Sequence, residues 1–130
     1  MCERLSELRR AVCSYASGFD ADVISSDDAS RAMREAAAIE NAAATLKALA
    51  ARRVAATSGW KRAGDRSPAH HLAREAGTSI AQAAEALETA RRLAEMPALS
   101  GAARAGELSP RQAAVIADAA LPPPGPRGAW

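Results

Sequence analysis

The chain has 130 residues, of which 48% are hydrophobic and 25% charged, and its formal net charge is +2. One domain with a buried core is expected at this length. No apolar run approaches 18 residues and no charged-then-apolar leader is evident, so the sequence supports neither a membrane span nor a signal peptide. We expect a cytoplasmic protein.

Alanine dominates the composition. The chain contains 36 Ala but only 21 Leu, Ile, Val and Met residues together. Alanine favours helix strongly but buries little apolar area, so helices form easily while their packing contributes little stability. We therefore expect an all-α fold of marginal stability.

Cysteine and histidine offer neither a disulfide nor a metal site. Cys2 and Cys13 would lie about 16 Å apart along one helix, too far to bridge. His70 and His71 are neighbours that point about 100° apart on a helix, so they cannot share one metal ion. No catalytic constellation is evident, and we expect no metal, no cofactor and no enzymatic activity.

Residues 1–26 form a first region. Leu5, Leu8, Val12 and Tyr15 share one stripe of a helix predicted over 3–16, which Gly18 ends. The connection that follows, residues 19–26, is expected to tuck Val23 and Ile24 against a neighbouring helix.

A helical domain is predicted over residues 27–121. Its first helix, at about 28–57, starts at an acidic, capping-rich segment and carries a narrow apolar stripe on a mostly alanine cylinder. A long run of alanine-rich sequence lets helices approach closely, so this helix could form an antiparallel hairpin within the domain or mediate self-association. Packing inside the domain is favoured.

Further helices are predicted at 68–76, 80–95, 98–105 and 110–120. Ser67-Pro68 and Ser109-Pro110 each combine an N-cap with a first-turn proline. Ser79 with Gln82, and Ser109 with Gln112, fit reciprocal capping boxes. Residues 61–66 are expected to be a basic loop. Trp60 before them is interpreted as a core residue that packs between two helices, rather than as a ring on which nucleic-acid bases stack.

The second half of the domain has the spacing of a helix-turn-helix. Small residues lie where two helices would cross, Gly77 lies in the turn and Ser79 caps the next helix. The expected core is Trp60, Leu72, Leu87, Leu93, Leu108 and Ile116. The residues also expected to face inward are Ile80, Ala84, Ala90 with Arg91, Ala94, Ala113 and Ala117. The proline-rich residues 122–130 are predicted to be a disordered tail.

Positive charge is concentrated between Arg52 and Arg74, where six Lys or Arg residues accompany only Asp65. Such a patch could contact the phosphates of duplex DNA, or it could be a solvated helix end and loop. The helix that follows Gly77 is the one expected to contact the DNA bases. On it Gln82 could pair with adenine, but Glu85 would repel phosphate. The candidate DNA-binding residues are Arg52, Arg53, Lys61, Arg62, Arg66, Arg74 and Gln82.

Several spaced motifs resemble a known family. They are Gly59-Trp60, Gly64-Asp65-Arg66-Ser67-Pro68, Gly77-Thr78-Ser79, Ala90-Arg91-Arg92-Leu93 and Gly106-Glu107-Leu108-Ser109-Pro110-Arg111-Gln112. Over residues 30–120 the chain resembles the domain of unknown function 222 family. The resemblance implies a domain that precedes an HNH nuclease, mostly in actinobacterial proteins.

The family's nuclease residues have no counterpart here, so no catalytic residue carries over. The change of composition at Pro122 suggests a truncated or frame-shifted product, with a short natural paralogue as the alternative. Three functions compete at this point: a DNA-associating module, a helical protein-interaction scaffold, and a non-functional fragment of a nuclease.

Overall fold

The computed structural model describes residues 1–120, and within them all regular structure is helical. The predicted all-α class is confirmed. The tail assigned to residues 122–130 lies outside the described residues. The helices are α1 (Cys2–Ser17), α2 (Ser26–Ala55), α3 (Gly59–Arg62), α4 (Pro68–Ala76), α5 (Ile80–Leu93), α6 (Pro97–Arg104) and α7 (Pro110–Ala119), with a 3-10 turn at Ala21–Val23.

The chain divides into two compact units, Met1–Glu35 and a second that begins at Ala36. In the first unit α1 has no buried residue. Val23 is 78% exposed, so the prediction that it tucks against a helix is wrong, because its one-turn 3-10 helix points it to solvent. The hydroxyl of Ser25 accepts the Asp28 amide at 3.1 Å, which starts α2 two residues earlier than predicted.

Two clusters form the core of the second unit. Leu72 and Ala73 of α4 pack on Ala83 of α5, with the half-buried Leu87 against them. Leu93, Leu99, Ala103 and Ala117 join the end of α5 to α6 and α7, with Met96 and Leu108 at their edge. Within residues 1–120, eight of the eleven buried hydrophobic residues are alanine. The helices therefore pack closely and bury little apolar area per residue.

The turn after α6 is held tightly against α2. Gly106 has φ 77°, and a Cβ there would lie 3.0 Å from the carbonyl carbon of Ala38 and overlap its oxygen. Two side chains of α2 donate to the same turn: Asn41 Nδ2 to the Gly106 carbonyl at 3.3 Å, and Thr45 Oγ1 to the Ala103 carbonyl at 3.1 Å. Glycine at position 106 is thus required by both the backbone conformation and the approach of α2.

The predicted starts of α4, α5 and α7 are confirmed. The hydroxyls of Ser67, Ser79 and Ser109 each accept the amide three residues on, and the latter two complete capping boxes with Gln82 and Gln112. Gly77 ends α4 with φ 71° and ψ 32°, the left-handed conformation typical of a helix C-terminus. These signals are local in sequence, which is why the pattern alone predicts them.

Parts of the predicted core are wrong. Ile116 is 43% exposed and Ile80 49% exposed, while Ala84 and Ala94 lie at the surface. The inward placement of Ala90 on α5 and of Ala113 and Ala117 on α7 is confirmed, and Ala83 and Ala114 are buried on the same helices. Because alanine lies on several faces of each helix, close approach through alanine is favoured over burial of the isoleucines.

One further difference lies between α2 and α4. Residues 59–62 form one helical turn instead of a loop, because the Ser58 carbonyl accepts the amides of Lys61 and Arg62, both at 3.1 Å. No helix in the described part of the chain has the length and apolar character needed to cross a bilayer.

Candidate nucleic-acid interface

The seven predicted DNA-binding residues all lie in the second unit, and all are exposed. They occupy four helices and one loop: Arg52 and Arg53 in the last turn of α2, Lys61 and Arg62 on α3, Arg66 before α4, Arg74 on α4 and Gln82 on α5. Only two short turns interrupt the helical path between Arg52 and Arg66. The first five residues therefore form one continuous stretch, which we call the basic segment.

Asp65 lies between Arg62 and Arg66 of the basic segment, and side chains of α4 contact both of its carboxylate oxygens. Its Oδ1 accepts from Arg74 Nε at 3.2 Å, and its Oδ2 accepts from Arg74 Nη2 at 2.8 Å and from His71 Nδ1 at 2.7 Å. His71 and Arg74 are three residues apart, so they share the face of α4 that Asp65 meets. The side chain of Asp65 is only 11% exposed.

These contacts lower the pKa of Asp65 to about 2, chiefly through the hydrogen bond from Arg74 and then that from His71. The carboxyl group is therefore ionised at neutral pH, and because an ionised carboxylate only accepts, His71 carries its hydrogen on Nδ1. The pKa of Arg74 is raised in turn by its hydrogen bond to Asp65. Sequence reasoning missed this cluster, although the three-residue spacing of His71 and Arg74 beside a single Asp was a usable signal.

The pairing divides the predicted cations into two groups. Arg74 is neutralised by Asp65 and also lies 3.2 Å from a carboxylate oxygen of Glu75. None of the five cations of the basic segment, Arg52, Arg53, Lys61, Arg62 and Arg66, forms an ion pair with any residue among 1–120. Asp65, the one acid nearby in sequence, is thus unable to offset their charge.

Trp60 anchors the middle of the basic segment. It is half buried, and its carbonyl accepts the Asp65 amide at 3.1 Å, which fixes the start of the loop that carries Arg66. Lys61 Nζ lies 5.3 Å from the centre of the Trp60 ring, within cation-π range. The indole Nε1 is buried and has no hydrogen-bond partner within the described residues. A half-buried ring of this kind fits the predicted packing role better than a stacking platform.

The side chain of Gln82 caps the start of α5. Its Oε1 accepts the Ser79 amide at 3.2 Å, while its own amide N–H donates to the Ser79 hydroxyl at 3.0 Å. A base contact through Oε1 would break this capping box. Its neighbours on the exposed start of α5 are Ile80, Ala81 and Glu85, which supply no donor for a base edge.

The two histidines contact different side chains. Both are partly buried: His71 pairs with Asp65, and His70 Nδ1 lies 2.6 Å from the Ser67 hydroxyl. Across residues 1–120, no three His, Cys, Asp or Glu side chains gather closely enough to hold a metal ion. Cys2 and Cys13 are both exposed free thiols.

Cations near the C-terminal end of α5 are paired, in contrast to the basic segment. Arg91 donates to Glu88 at 2.6 Å, and this hydrogen bond is the main reason why the pKa of Glu88 is lowered. Arg92 pairs with Asp118 of α7 and with Glu88 at 3.2 Å. The Arg92–Asp118 contact links α5 to α7, whereas the Arg91–Glu88 contact lies within α5, so we assign both arginines a structural role.

Comparison with known proteins identifies the family but no characterised relative. Neither the curated proteins nor the solved structures gave a match. Residues 28–124, which are most of the chain, match the family described as a domain of unknown function, DUF222. The chain therefore belongs to the DUF222 family.

Proposed function

We propose that this chain is a non-enzymatic helical module that binds duplex DNA through its basic segment. The observation that carries the proposal is the pairing of Asp65 with Arg74 and His71, which leaves five neighbouring cations without an acidic partner. Exposed Lys and Arg side chains without partners are the groups that neutralise DNA phosphates.

Recognition of this kind depends on the phosphate backbone and carries no sequence information. Arg74 contributes less than the other cations, because its guanidinium is already paired with Asp65 and Glu75. Gln82 contributes little, because its side chain caps α5. The module would thus hold DNA in a cytoplasmic setting and leave chemistry to an HNH nuclease of the kind implied by the family resemblance.

A protein-interaction scaffold is the competing function. It is favoured by the start of α5, where Glu85 and apolar side chains are exposed and Gln82 is occupied. Under this alternative the basic segment is a solvated surface, and the exposed helix faces bind another protein. The two functions differ in whether charge at positions 52–66 controls binding to DNA.

Titration of a fluorescent random-sequence duplex tests the proposal at low salt. We expect the parent chain to bind, and Lys61→Ala/Arg62→Ala/Arg66→Ala to bind several-fold more weakly. A matched control, Arg9→Ala/Arg10→Ala/Arg31→Ala, removes the same charge from exposed positions elsewhere and should retain most of the affinity. If the parent chain does not bind the duplex, the DNA-binding proposal is wrong and the scaffold function is favoured.

A cleavage assay tests the non-enzymatic part of the proposal. A duplex incubated with the purified chain and Mg²⁺, Mn²⁺ or Zn²⁺ should remain intact. Metal-dependent cleavage that survives rigorous purification would contradict it.

A further inference from the structure

Helix α2 exposes an apolar stripe on the side away from its packed face. The stripe consists of Ala36, Ile39, Ala43, Leu46 and Ala50, all classed as exposed. Ile39 is 51% and Leu46 47% exposed, large fractions for aliphatic side chains in the middle of a helix. We call these five residues the α2 seam.

The α2 seam has the spacing of a coiled coil. Its members alternate in steps of three and four residues, which keeps them on one side of a helix over two heptads. The packed face, which includes Asn41, Thr45 and Ala48, lies on the other side. Every seventh position of the seam is alanine, and these alternate with Ile39 and Leu46. A facing helix can therefore approach closely, with large side chains over small ones.

We propose that the α2 seam binds the α2 seam of a second copy of this chain in an antiparallel, two-fold symmetric pair. Antiparallel alignment about a point between residues 44 and 45 sets Ala43 against Leu46 of the second copy. The same register sets Ile39 against Ala50. Every contact then occurs twice by symmetry, and both large side chains of the seam, Ile39 and Leu46, fall opposite alanines.

Charge complementarity identifies a second copy as the occupant. Glu40 and Lys47 are seven residues apart and border the same edge of the α2 seam, and neither forms an ion pair within residues 1–120. In the antiparallel register Glu40 meets Lys47 of the second copy, and Lys47 meets Glu40. A parallel pair would instead bring Glu40 beside Glu35 of the other chain. Flanking charges of this kind set partner and orientation in coiled coils.

Sedimentation equilibrium of the full chain without DNA tests this pairing independently of the proposed function. We expect the parent to be a dimer. Glu40→Lys alone and Lys47→Glu alone should each weaken the dimer by about tenfold or more, because each creates like-charge contacts at both symmetry-related positions. The double exchange, Glu40→Lys/Lys47→Glu, should restore parental dimerisation, because it regenerates both ion pairs.

A seam substitution with a matched control completes the test. Leu46→Glu should yield a monomer with parental helix content by circular dichroism, whereas Val115→Glu, at a similarly exposed position on α7, should remain dimeric. A monomeric parent would overturn the proposal. A Leu46→Glu variant that dimerises as strongly as the parent would also overturn it. The same holds if the double exchange does not restore dimerisation, since restoration is specific to the antiparallel register.

Discussion

Arg74 donates to both carboxylate oxygens of Asp65, from Nε at 3.2 Å and from Nη2 at 2.8 Å. The two residues are nine positions apart, so the contact joins the loop before α4 to the last turn of that helix. Two-pronged contacts between arginine and carboxylate are among the stronger ion pairs. The contact holds the loop that carries Arg66, and it pairs the Asp65 carboxylate with Arg74 rather than with a cation of the basic segment.

Acid titration should reveal the Asp65 contact. Its pKa falls from an ordinary 3.8 to about 2 on folding, so its ionised form stabilises the folded state at neutral pH. That contribution should be constant above about pH 4 and decline as the pH falls toward about 2. Thermal unfolding of the parent and of Asp65→Asn across this range measures it. The parent should melt higher at pH 7, and the difference should shrink in acid; a difference that is unchanged down to pH 2 would contradict the assignment.

Glycine at position 106 should be essential to the packing of α2. Gly106→Ala places a Cβ against the backbone of Ala38 and forces a positive φ on alanine, so we expect a loss of about 1–3 kcal/mol or more in the free energy of unfolding. Gly101→Ala is the matched control, because a Cβ there meets nothing within 4 Å and replaces a helical glycine. The control should be neutral or stabilising by up to about 1 kcal/mol. Denaturant unfolding of both variants measures this difference in the free energy of unfolding. An equal effect of the two substitutions would contradict the close approach of α2 to Gly106.

Leu93 and Ile116 should differ sharply when truncated. Leu93 is 4% exposed in the cluster between α5, α6 and α7, so Leu93→Ala should cost about 2–5 kcal/mol. Ile116→Ala should cost less than about 1 kcal/mol, because the side chain is largely at the surface. Leu87, which is half buried, should fall between them. Equal costs for Leu93 and Ile116 in urea unfolding would show that the core has been placed wrongly.

Replacement of Gln82 should affect folding more than DNA binding. Gln82→Ala removes one half of the capping box on α5, and we expect a loss of about 0.5–1 kcal/mol of stability. Affinity for a random duplex should change by less than about 1 kcal/mol, since the side chain is not a phosphate contact. Gln112→Ala, at the equivalent position of α7, serves as the control for the capping effect. A large loss of DNA affinity for Gln82→Ala alone would restore base reading as its role.

The features that the sequence predicts correctly are those determined by neighbouring residues. Ser79 with Gln82 and Ser109 with Gln112 define helix starts over four positions, so no tertiary information is needed. The exposure of Ile116 beside the buried Ala117 could not be predicted in the same way. In an alanine-rich helix the hydrophobic pattern does not single out one face, and the packed face is decided by which helices can approach most closely.

The candidate site was predicted as a set of charges but not as an arrangement. The basic segment is visible in the sequence, yet the pairing of Arg74 with Asp65 depends on the path of the loop that joins α3 to α4. The one-turn helix α3 was missed because four residues are too few to show a period. Both features affect function, since they determine which cations remain available to an anionic partner.

The most direct test of the account is the salt dependence of duplex binding. Each phosphate neutralised contributes about −0.9 to the slope of log affinity against log salt concentration. Removal of Lys61, Arg62 and Arg66 together should therefore flatten the slope by up to about three units, while the control that removes Arg9, Arg10 and Arg31 should leave it unchanged. An unchanged slope for Lys61→Ala/Arg62→Ala/Arg66→Ala, or no binding by the parent near about 20 mM salt, would contradict DNA binding by the basic segment.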